Sequence, residues 1–482
     1  MPNYIITLKL KADKYQEDIL NKRLEVSRKI YNACLGELFR RFNNLKQSKS
    51  HRNALKMNKG EERNKKFNEL NKEYGLTEYS LHSYVKPMQK HFKKSVDSQA
   101  AQKIATRCFN AFQKLISRQA SKVNFKRFGE MNSIEGKSNK TGIRYVNNHL
   151  VWNKLIIPVI VKKNDMYAHV ALNDKVKYCR IVRKLIRGKY KYYIQLVLEG
   201  IPPKKYNTET GEVRHVRGKG SIGIDIGIQT IAISSKKEVK LLELAPEVND
   251  IEKEKRILQR KLERQRRANN PNKYNEDGTI KQGNKEKWIV SKNYTKTKNQ
   301  LAELQRKIAV IRKQSHDKLA NYILTLGDNV KVEQMNYKGL QARAKETTIN
   351  KNTGRFNKKK RFGKSLANKA PAMFLTTLDN KLKFDDKELK KIDTYSFKAS
   401  QYNHFTGEYV KKKLSERWNQ FECGMVQRDL YSAYLIMNSE DNLKEVNREL
   451  CFNLWENFKE LHDLEIERIR NSESKLISSM GV

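Results

Sequence analysis

The order of apolar and polar positions changes its period along the chain. YIITLKLK at Tyr4–Lys11 alternates as a short strand does. From Tyr15 to about Arg127, apolar residues recur three and four positions apart, which predicts basic amphipathic helices. Within this region Asn43–Gly75 nearly lacks large apolar residues, so a polar helix, a mobile connector and a surface laid on phosphate all fit it.

From Gly142 to Gly200 the period becomes two. Strand-like alternation runs through four segments that are separated by Asn, Asp and Gly: LVWNKLIIPVIV, YAHVAL, VKYCRIVRKLI and KYKYYIQLVLEG. This pattern predicts a small antiparallel barrel or sandwich with basic residues pointing outward. The next segment, Tyr206–Gly220, has the composition of a linker.

A third pattern begins with SIGIDIGIQTIAISSKKEVKLLELA, which predicts three consecutive short strands. Two basic helices follow, and the second carries an apolar stripe at Leu301, Leu304, Ile308, Ile311, Leu319 and Ile323. The segment NVKVEQMNYKGL then predicts a brief strand that ends at Glu333. Three strands, helices and a further strand with an acid at its end are the element order of a ribonuclease-H-like fold.

The first of these strands carries an aspartate among isoleucines. Three isoleucines share one face of the strand, whereas Asp225 lies between Gly223 and Gly227 on the other face. A buried carboxylate costs several kcal/mol unless something pairs with it. The glycines offer no partner but leave room for one, so a metal ion or a phosphate fits the pattern; a structural aspartate near a turn is the alternative.

A fold of this kind needs a third acid on a late helix beside the first strand. FECGMVQRDLYSAYLIMN at Phe421–Asn438 supplies Asp429 at the start of a predicted helix. An aspartate in that place is also a common helix cap. Together with Asp225 and Glu333, Asp429 is interpreted as a catalytic carboxylate.

Composition indicates the class of partner. The 482 residues include 100 Lys and Arg against 53 Asp and Glu, a net charge of +47, which is typical of a protein that covers a long polyanion. An apolar run near 20 residues is absent, and MPNYIITLKLKAD is unlike a signal segment, so no membrane partner is expected. The five scattered cysteines favour a reduced, cytoplasmic protein.

The acidic motifs resemble a known family. In their order, SIGIDIGI, VKVEQMNYKGL and CGMVQRDLYSAYLI are similar to the three RuvC motifs of the TnpB family of transposon-encoded RNA-guided nucleases, to which compact type V CRISPR effectors are related. The resemblance extends to SRKIYN at Ser27–Asn32, to FNAFQKLISRQASKVNFKRFG and to the basic segment between the first two motifs. It implies a helical recognition region, a wedge barrel split around it and a RuvC nuclease core.

We therefore expect an α+β multidomain chain. Its predicted parts are residues 1–12 as the first strand of the wedge barrel, 13–137 as the helical recognition domain, 138–204 as the rest of the barrel, 205–220 as a linker, 221–438 as the RuvC domain with a degenerate zinc-ribbon region near 400–424, and 439–482 as a helical tail.

The resemblance implies an RNA-guided endonuclease that cuts double-stranded DNA at a single RuvC-type site. Carboxylates suit two Mg²⁺ ions about 3.5–4 Å apart, with Mn²⁺ as an alternative ion. Asp225 is expected to bridge both ions, and Glu333 and Asp429 each to complete one. Arg428 is a candidate for holding the scissile phosphate, with an ordinary surface charge as the alternative. The segment FNAFQKLISRQASKVNFKRFG adds two further candidates for nucleic-acid contact, Lys126 and Arg127.

The partners implied by the resemblance are a guide RNA and a target duplex that carries a short flanking motif, with one chain per guide RNA, in a prokaryotic cytoplasm near the nucleoid. Three other functions stay open. They are an RNA-guided DNA-binding repressor without cleavage, a transposon-associated RNA-binding protein, and a DNA-cutting transposase. The origin of the guide, a transposon end or a CRISPR array, is also open.

The chain departs from the family at the zinc ribbon, which usually has two Cys-x-x-Cys pairs. Asn403 and Thr406 stand at the first pair, and Gln420 precedes the lone Cys423. One thiolate cannot build a tetrahedral site, so no structural zinc is expected. His404 is interpreted as a solvated histidine.

A second departure is Tyr431, which replaces the asparagine of the family's Asp-x-Asn-Ala-Ala sequence. It predicts altered local packing with the chemistry retained. The tail EVNRELCFNLWENFKELHDLEIERI has an apolar stripe that is expected to pack on the core. One role considered for this tail is to take the structural place of the missing zinc ribbon.

Overall fold

The protein is described here by a computed structural model over residues 2–207, 209–283, 286–357, 362–413, 415–473 and 477–482. The chain divides into two compact units, Met1–Lys204 and Lys205–Val482. Each unit combines helices with a β-sheet, so the predicted α+β multidomain class is confirmed.

The first unit begins with a strand and a series of helices. Its elements up to residue 116 are β1 Asn3–Leu10, α1 Lys14–Gln47, α2 Lys49–Lys56, α3 Glu61–Glu73, α4 Glu78–His91 and α5 Ser98–Ile116. Asp13 begins α1 through a capping box, because its side chain accepts from the Gln16 amide and the Gln16 side chain accepts from the Asp13 amide. The polar stretch Asn43–Gly75 consists of the end of α1, α2 and α3, so it is helical, as the first of its three interpretations predicted, and its contact with phosphate stays a prediction.

The same unit contains a curled antiparallel sheet in the order β2-β6-β7-β1-β5-β4-β3. Its remaining elements are β2 Ser133–Glu135, β3 Ile143–Val146, β4 His149–Trp152, β5 Leu155–Ile160, α6 Met166–Ala171, β6 Val176–Ile186 and β7 Lys189–Glu199. Burial alternates strictly along β1, as the period of two predicted. The sheet contains β1 and the strands of the 142–200 region, as the wedge barrel was expected to.

Two details of this unit differ from the prediction. YAHVAL is the helix α6 and not a strand, because the Asp165 side chain accepts from the Ala168 amide at 3.0 Å and caps a turn that buries Ala168 and Ala171. Strand β2 pairs with β6, so a boundary at residue 137 separates β2 from the sheet that it joins.

The second unit is built on a mixed sheet in the order β10-β9-β8-β11-β12. Its strands are β8 Ser221–Ile226, β9 Thr230–Ser235, β10 Val239–Glu243, β11 Asn329–Glu333 and β12 Lys390–Ile392. Strands β10, β9 and β8 are antiparallel neighbours, whereas β8, β11 and β12 are parallel. The three consecutive strands and the brief strand ending at Glu333 are confirmed; β12 was not predicted.

Helices cover this sheet and connect its strands. They are α7 Val248–Ala268, α8 Lys292–Leu326, α9 Tyr337–Leu340, α10 Gly363–Lys369, α11 Pro371–Leu382, α12 Thr394–Phe397, α13 Arg428–Met437, α14 Arg448–Asn453 and α15 Trp455–Arg470. A hairpin of β13 Trp418–Phe421 and β14 Gly424–Gln427 leads into α13. The segment predicted as a linker, 205–220, belongs to this unit, and its Gly218 amide donates to the Leu324 carbonyl.

Each face of the mixed sheet has its own core. The isoleucine face of β8 packs with β11, α8 and α11, as the alternation in SIGIDIGI predicted. The opposite face packs against α13 and the aromatic residues of the tail, which include Trp455 and Phe458. Helix α15 also contacts β10, so the tail packs on the core of its unit as expected.

Candidate active site

Parallel pairing brings Asp225 and Glu333 to the same edge of the sheet. Ile224 on β8 is in register with Val332 on β11. Asp225 directly follows Ile224, and Glu333 directly follows Val332, so each acid lies near the carboxyl end of its strand. Parallel strands place their carboxyl ends together, so two residues 108 positions apart in sequence become neighbours.

Helix α13 reaches this edge because Gly223 lets it approach β8 closely. A Cβ atom at Gly223 would lie less than 3.0 Å from the Ala433 carbonyl oxygen and the Met437 amide nitrogen, a separation that side chains do not adopt. The interpretation that this glycine leaves room for a ligand is therefore wrong. The space is filled by the helix that carries the third acid.

Asp429 lies in the first turn of α13 and does not cap it. The cap is Gln427, whose side-chain oxygen accepts from the Leu430 amide at 2.8 Å. The carboxylate of Asp429 instead lies 3.3 Å from the Arg428 guanidinium and 3.8 Å from that of Arg417. The helix-cap alternative is therefore wrong for this residue.

The charges of the three acids interact. Burial is the main cause that raises the pKa of Asp225, the charges of Asp429 and Glu333 raise it further, and Arg428 opposes them. Burial also raises the pKa of Glu333 to about 7. Among the described residues, Asp225 and Glu333 have no hydrogen-bond or ion-pair partner. An unbalanced pair of desolvated carboxylates attracts a cation.

The carboxylates do not form a preassembled metal cage. Over the described part of the chain, His, Cys, Asp and Glu side chains form no group of three or more that is close enough to hold a metal ion. The backbone therefore places the three acids at one edge of the sheet without bringing their oxygen atoms together.

Sequence reasoning missed Tyr337, the first residue of α9. Its hydroxyl is buried and has no hydrogen-bond partner among the described residues. Burial raises its pKa, and the charges of Asp225 and Glu333 raise it further, so the tyrosine borders both acids. The only sequence signal for this residue was its position four residues after Glu333. The sequence pattern did not predict that the segment forms the helix α9.

Arg428 is not a surface charge. The residue is 9% exposed, and its guanidinium donates to the carbonyls of Glu416 at 2.8 Å and Lys413 at 3.3 Å as well as to Asp429. It therefore ties the segment before β13 to the first turn of α13. Its proposed contact with a phosphate stays a prediction.

The two basic candidates of the first unit have different surroundings. The Lys126 ammonium lies 5.0 Å from the centre of the Tyr31 ring, and burial lowers its pKa. Arg127 is exposed, and so are its aromatic neighbours Phe125 and Phe128. Exposed aromatic and basic side chains in alternation can bind nucleic acid by stacking and by charge, but the nucleic-acid contact stays a prediction.

The degenerate ribbon region forms a turn that is held by hydrogen bonds between side chains and backbone amides. The Asn403 side chain accepts a hydrogen bond from the Phe405 amide at 3.0 Å, and the Thr406 hydroxyl accepts one from the Glu408 amide at 3.3 Å. His404 is fully buried, so the prediction that it is solvated is wrong. The Tyr431 hydroxyl accepts a hydrogen bond from the His404 backbone amide at 3.1 Å. The same hydroxyl lies 2.7 Å from Nδ1 of the His404 ring.

Comparison with known proteins gives a likeness of fold. The chain matches no protein-family model, and its sequence matches no curated protein. It is similar to the chain in a cryo-EM structure of a Cas12f1–sgRNA–target DNA complex, with a TM-score of 0.50 and 12% identity over 89% of this chain and 83% of that chain. A CRISPR–Cas12f ternary complex aligns over 88% and 82%, at 12% identity and a TM-score of 0.29.

At this identity, the first of these likenesses shows a shared fold and nothing finer. The mixed α+β chain therefore shares its fold with the Cas12f1 chain of that complex. Within the described residues, no helix is both long enough and apolar enough to cross a membrane.

Proposed function

We propose that this protein is an RNA-guided DNA endonuclease of the RuvC type. The observation that carries the proposal is the convergence of Asp225, Glu333 and Asp429 from β8, β11 and α13 at one edge of the mixed sheet, where burial raises the pKa of Asp225 and the charges of the other two acids raise it further. A nuclease site requires such a group of acids, whereas a purely structural core gains nothing from their mutual repulsion.

The topology of the second unit supports this assignment. Three antiparallel strands followed by two parallel strands, with the acids on the first and fourth, fit the ribonuclease-H-like core that the sequence predicted. The acid on the first strand and the acid on the late helix are adjacent, as that fold requires. The fold shared with a Cas12f1 chain supports the same assignment at the level of the whole molecule.

The donor set fits Mg²⁺ or Mn²⁺. Hard cations prefer oxygen ligands, and Asp225 and Glu333 are carboxylates without a partner among the described residues. The buried hydroxyl of Tyr337 borders the same two acids and also lacks a partner there. Asp225, Glu333 and Asp429 would hold the ions, which when bound supply charge stabilisation and an activated water for phosphodiester hydrolysis.

The chain itself performs three tasks in this proposal. The sheet holds Asp225 and Glu333 at a fixed spacing, and α13 delivers Asp429 to them. Burial raises the pKa of Glu333 to about 7, so Glu333 would release a proton on holding a cation. Arg428 holds the Asp429 carboxylate through its guanidinium and also faces the site as a positive charge.

A guide RNA and a target duplex are the proposed partners. The net charge of +47 requires a large polyanion to neutralise it. The structurally similar Cas12f1 chain was determined with an sgRNA and target DNA, and the same classes of nucleic acid suit this protein. Base pairing would then read the sequence, and the protein would read a short flanking motif and the backbone.

The decisive experiment compares Asp225→Ala with wild type on one guide-matched duplex in Mg²⁺. Asp225 has no hydrogen-bond partner among the described residues, so its truncation breaks no such contact. We expect cleavage of both strands to be lost and guide-directed binding in a gel shift to be retained. Glu333→Gln and Asp429→Ala should behave alike, because ligands of one site fail as a unit.

Two results would count against the nuclease. Cleavage by Asp225→Ala at a tenth of the wild-type rate or more would make the aspartate structural. Guide-directed binding without cleavage by the wild type would favour the non-cleaving repressor. Glu422→Ala is the matched control, because Glu422 is an exposed acid of the same unit.

A further inference from the structure

A buried lysine fixes the carboxyl end of α13 to the strand that carries Glu333. Lys331 lies on β11 two residues before Glu333, on the same face of the strand. It is 4% exposed, and its ammonium donates to the Ser439 carbonyl at 2.8 Å and to the Met437 carbonyl at 3.2 Å. No sequence pattern indicates this contact, because Lys331 lies more than 100 residues from both of its partners in the chain.

Met437 is the last residue of α13, and Ser439 lies two residues beyond it. The last carbonyls of a helix have no partner inside the helix, and they form the negative end of its dipole. An ammonium that donates to them gives the carbonyls a hydrogen-bond partner and places a positive charge at the negative end of the dipole. The contact is therefore specific for the end of α13 and would not hold a helix that had slid by one turn.

The helix is held at a second point by its contact with Gly223. Ala433 and Met437 lie directly over that glycine of β8. Asp429 is one turn before Ala433, about 6 Å along the helix. Glu333 lies about 7 Å from Lys331 along its strand. A short helix is rigid over this length, so these two contacts determine where Asp429 lies relative to Asp225 and Glu333.

We propose that Lys331 is a positioning residue that sets the place of the third acid by holding the carboxyl end of α13 against β11. The inference rests on the proposed function only where metal binding and cleavage are measured. The contact of Lys331 with the Met437 and Ser439 carbonyls, which we call the clamp, joins β11 to the end of α13 whatever the function is. The lysine acts through α13 and touches none of the three acids in the contacts described.

Lys369 offers a matched control within the same unit. It is 2% exposed, and its ammonium donates to Glu243 at 2.6 Å, Asn249 at 3.0 Å and the Ala245 carbonyl at 3.2 Å. None of these partners lies on β8, β11 or α13. A variant of Lys369 therefore reports the cost of losing a buried ammonium without disturbing the clamp.

The experiment compares Lys331→Met with Lys369→Met in the full chain. Four quantities are measured: the melting temperature, hydrogen exchange of the α13 amides, Mn²⁺ binding followed by electron paramagnetic resonance, and the Mg²⁺ concentration for half-maximal cleavage. We expect both variants to melt earlier. Only Lys331→Met should exchange faster in α13, lose about tenfold or more in Mn²⁺ affinity, and need correspondingly more Mg²⁺.

Each outcome decides the inference. Equal Mn²⁺ affinity in the two variants would reduce Lys331 to a structural lysine and overturn the proposal. If wild type binds no Mn²⁺, the proposed function fails, and the clamp is then judged by exchange alone, where equal α13 exchange in the two variants overturns it. If Lys331→Met does not fold, Lys331→Gln retains one donor and should give an intermediate Mn²⁺ affinity; unchanged affinity would contradict the proposal.

Discussion

Asp225 shows how a single residue can mark a site. Burial raises the pKa of its carboxylate, two other acids raise it further, and it has no hydrogen-bond or ion-pair partner among the described residues. Charged groups in such surroundings cost several kcal/mol unless a counter-charge arrives. The cost is tolerated where a bound cation recovers it, which supports the cation site that we propose.

The raised pKa of Glu333 predicts an unusual pH dependence of the metal-free protein. Burial raises this pKa from 4.5 to about 7, so between these values the native state keeps a proton that the unfolded chain has lost. Stability from this group is complete below about pH 4.5 and is lost as the pH rises through about 7. We expect the melting temperature in chelator to fall across this window relative to that of Glu333→Gln.

Because other groups also titrate, the measurement is the difference between wild type and Glu333→Gln, taken every half pH unit. Glu422→Gln removes an exposed carboxylate of the same unit and serves as the control. Added Mg²⁺ should restore the melting temperature of the wild type near pH 7. Parallel curves for wild type and Glu333→Gln would show that Glu333 ionises normally and would remove the basis for this prediction.

Sequence could predict the acids but not the residues that arrange them. Asp225 and Glu333 were recognisable because each interrupts or ends an apolar strand, and that signal is local. Tyr337, Lys331 and the close approach at Gly223 depend on which element packs against which. That information lies in pairings across 100 or more residues, and no periodicity encodes it.

At the scale of elements, α13 packs into an aromatic core. The Tyr431 ring lies 5.0 Å from that of Phe421 on β13, and the His404 ring lies 5.0 Å from that of Trp455 on α15. The hairpin, the ribbon-region turn and the tail thus meet around one helix. Aromatic packing of this kind can fix an element that a metal ribbon fixes elsewhere.

We therefore predict that the protein contains no stoichiometric zinc and that its stability depends on the contact between Tyr431 and His404. Tyr431→Phe removes the hydroxyl that accepts the His404 amide, which leaves a buried donor unsatisfied at a cost of about 1–3 kcal/mol. Strong chelator should leave the denaturation midpoint of the wild type unchanged. Elemental analysis and denaturant unfolding measure the two effects.

Tyr409→Phe provides the matched control, because Tyr409 is an exposed tyrosine of the same turn. It should shift the midpoint far less than Tyr431→Phe does. About one zinc per chain, released by chelator together with a loss of stability, would contradict the prediction and would implicate Cys423. Equal effects of the two tyrosine variants would show that the buried contact contributes little.

Element prediction succeeded where the pattern was long and failed where it was short. Strands β6 and β7 span 11 residues each, and α8 spans 35, so their periods stand out. Strand β12 has three residues, which is too short to show a period. In α6 the alternation of small apolar residues fits a strand and a helix equally, and the Asp165 cap decided the outcome.

At the scale of the whole molecule, charge carries information that no single site carries. The 53 acidic residues, many of which pair with neighbouring lysines and arginines, cannot balance 100 lysines and arginines, and a net charge of +47 remains. Arginines and lysines that remain after such pairing repel one another. Their repulsion destabilises the folded chain until a polyanion binds, so we expect the purified protein to retain structured RNA.

The same surplus predicts that affinity for non-specific nucleic acid falls steeply with salt. Each phosphate that a lysine or arginine neutralises releases counterions, so six to ten contacts lower the affinity by about 10³–10⁵ between 50 and 200 mM salt. Titration of an unmatched duplex at several salt concentrations measures the slope. Arg127→Ala should reduce it by about one if this exposed arginine contacts a phosphate, whereas Lys14→Ala, which removes a lysine paired with Asp18 at 3.2 Å, should change it less. A flat salt response would mean that the charge serves another purpose than binding a polyanion, because counterion release follows from any such contact whatever the sequence bound.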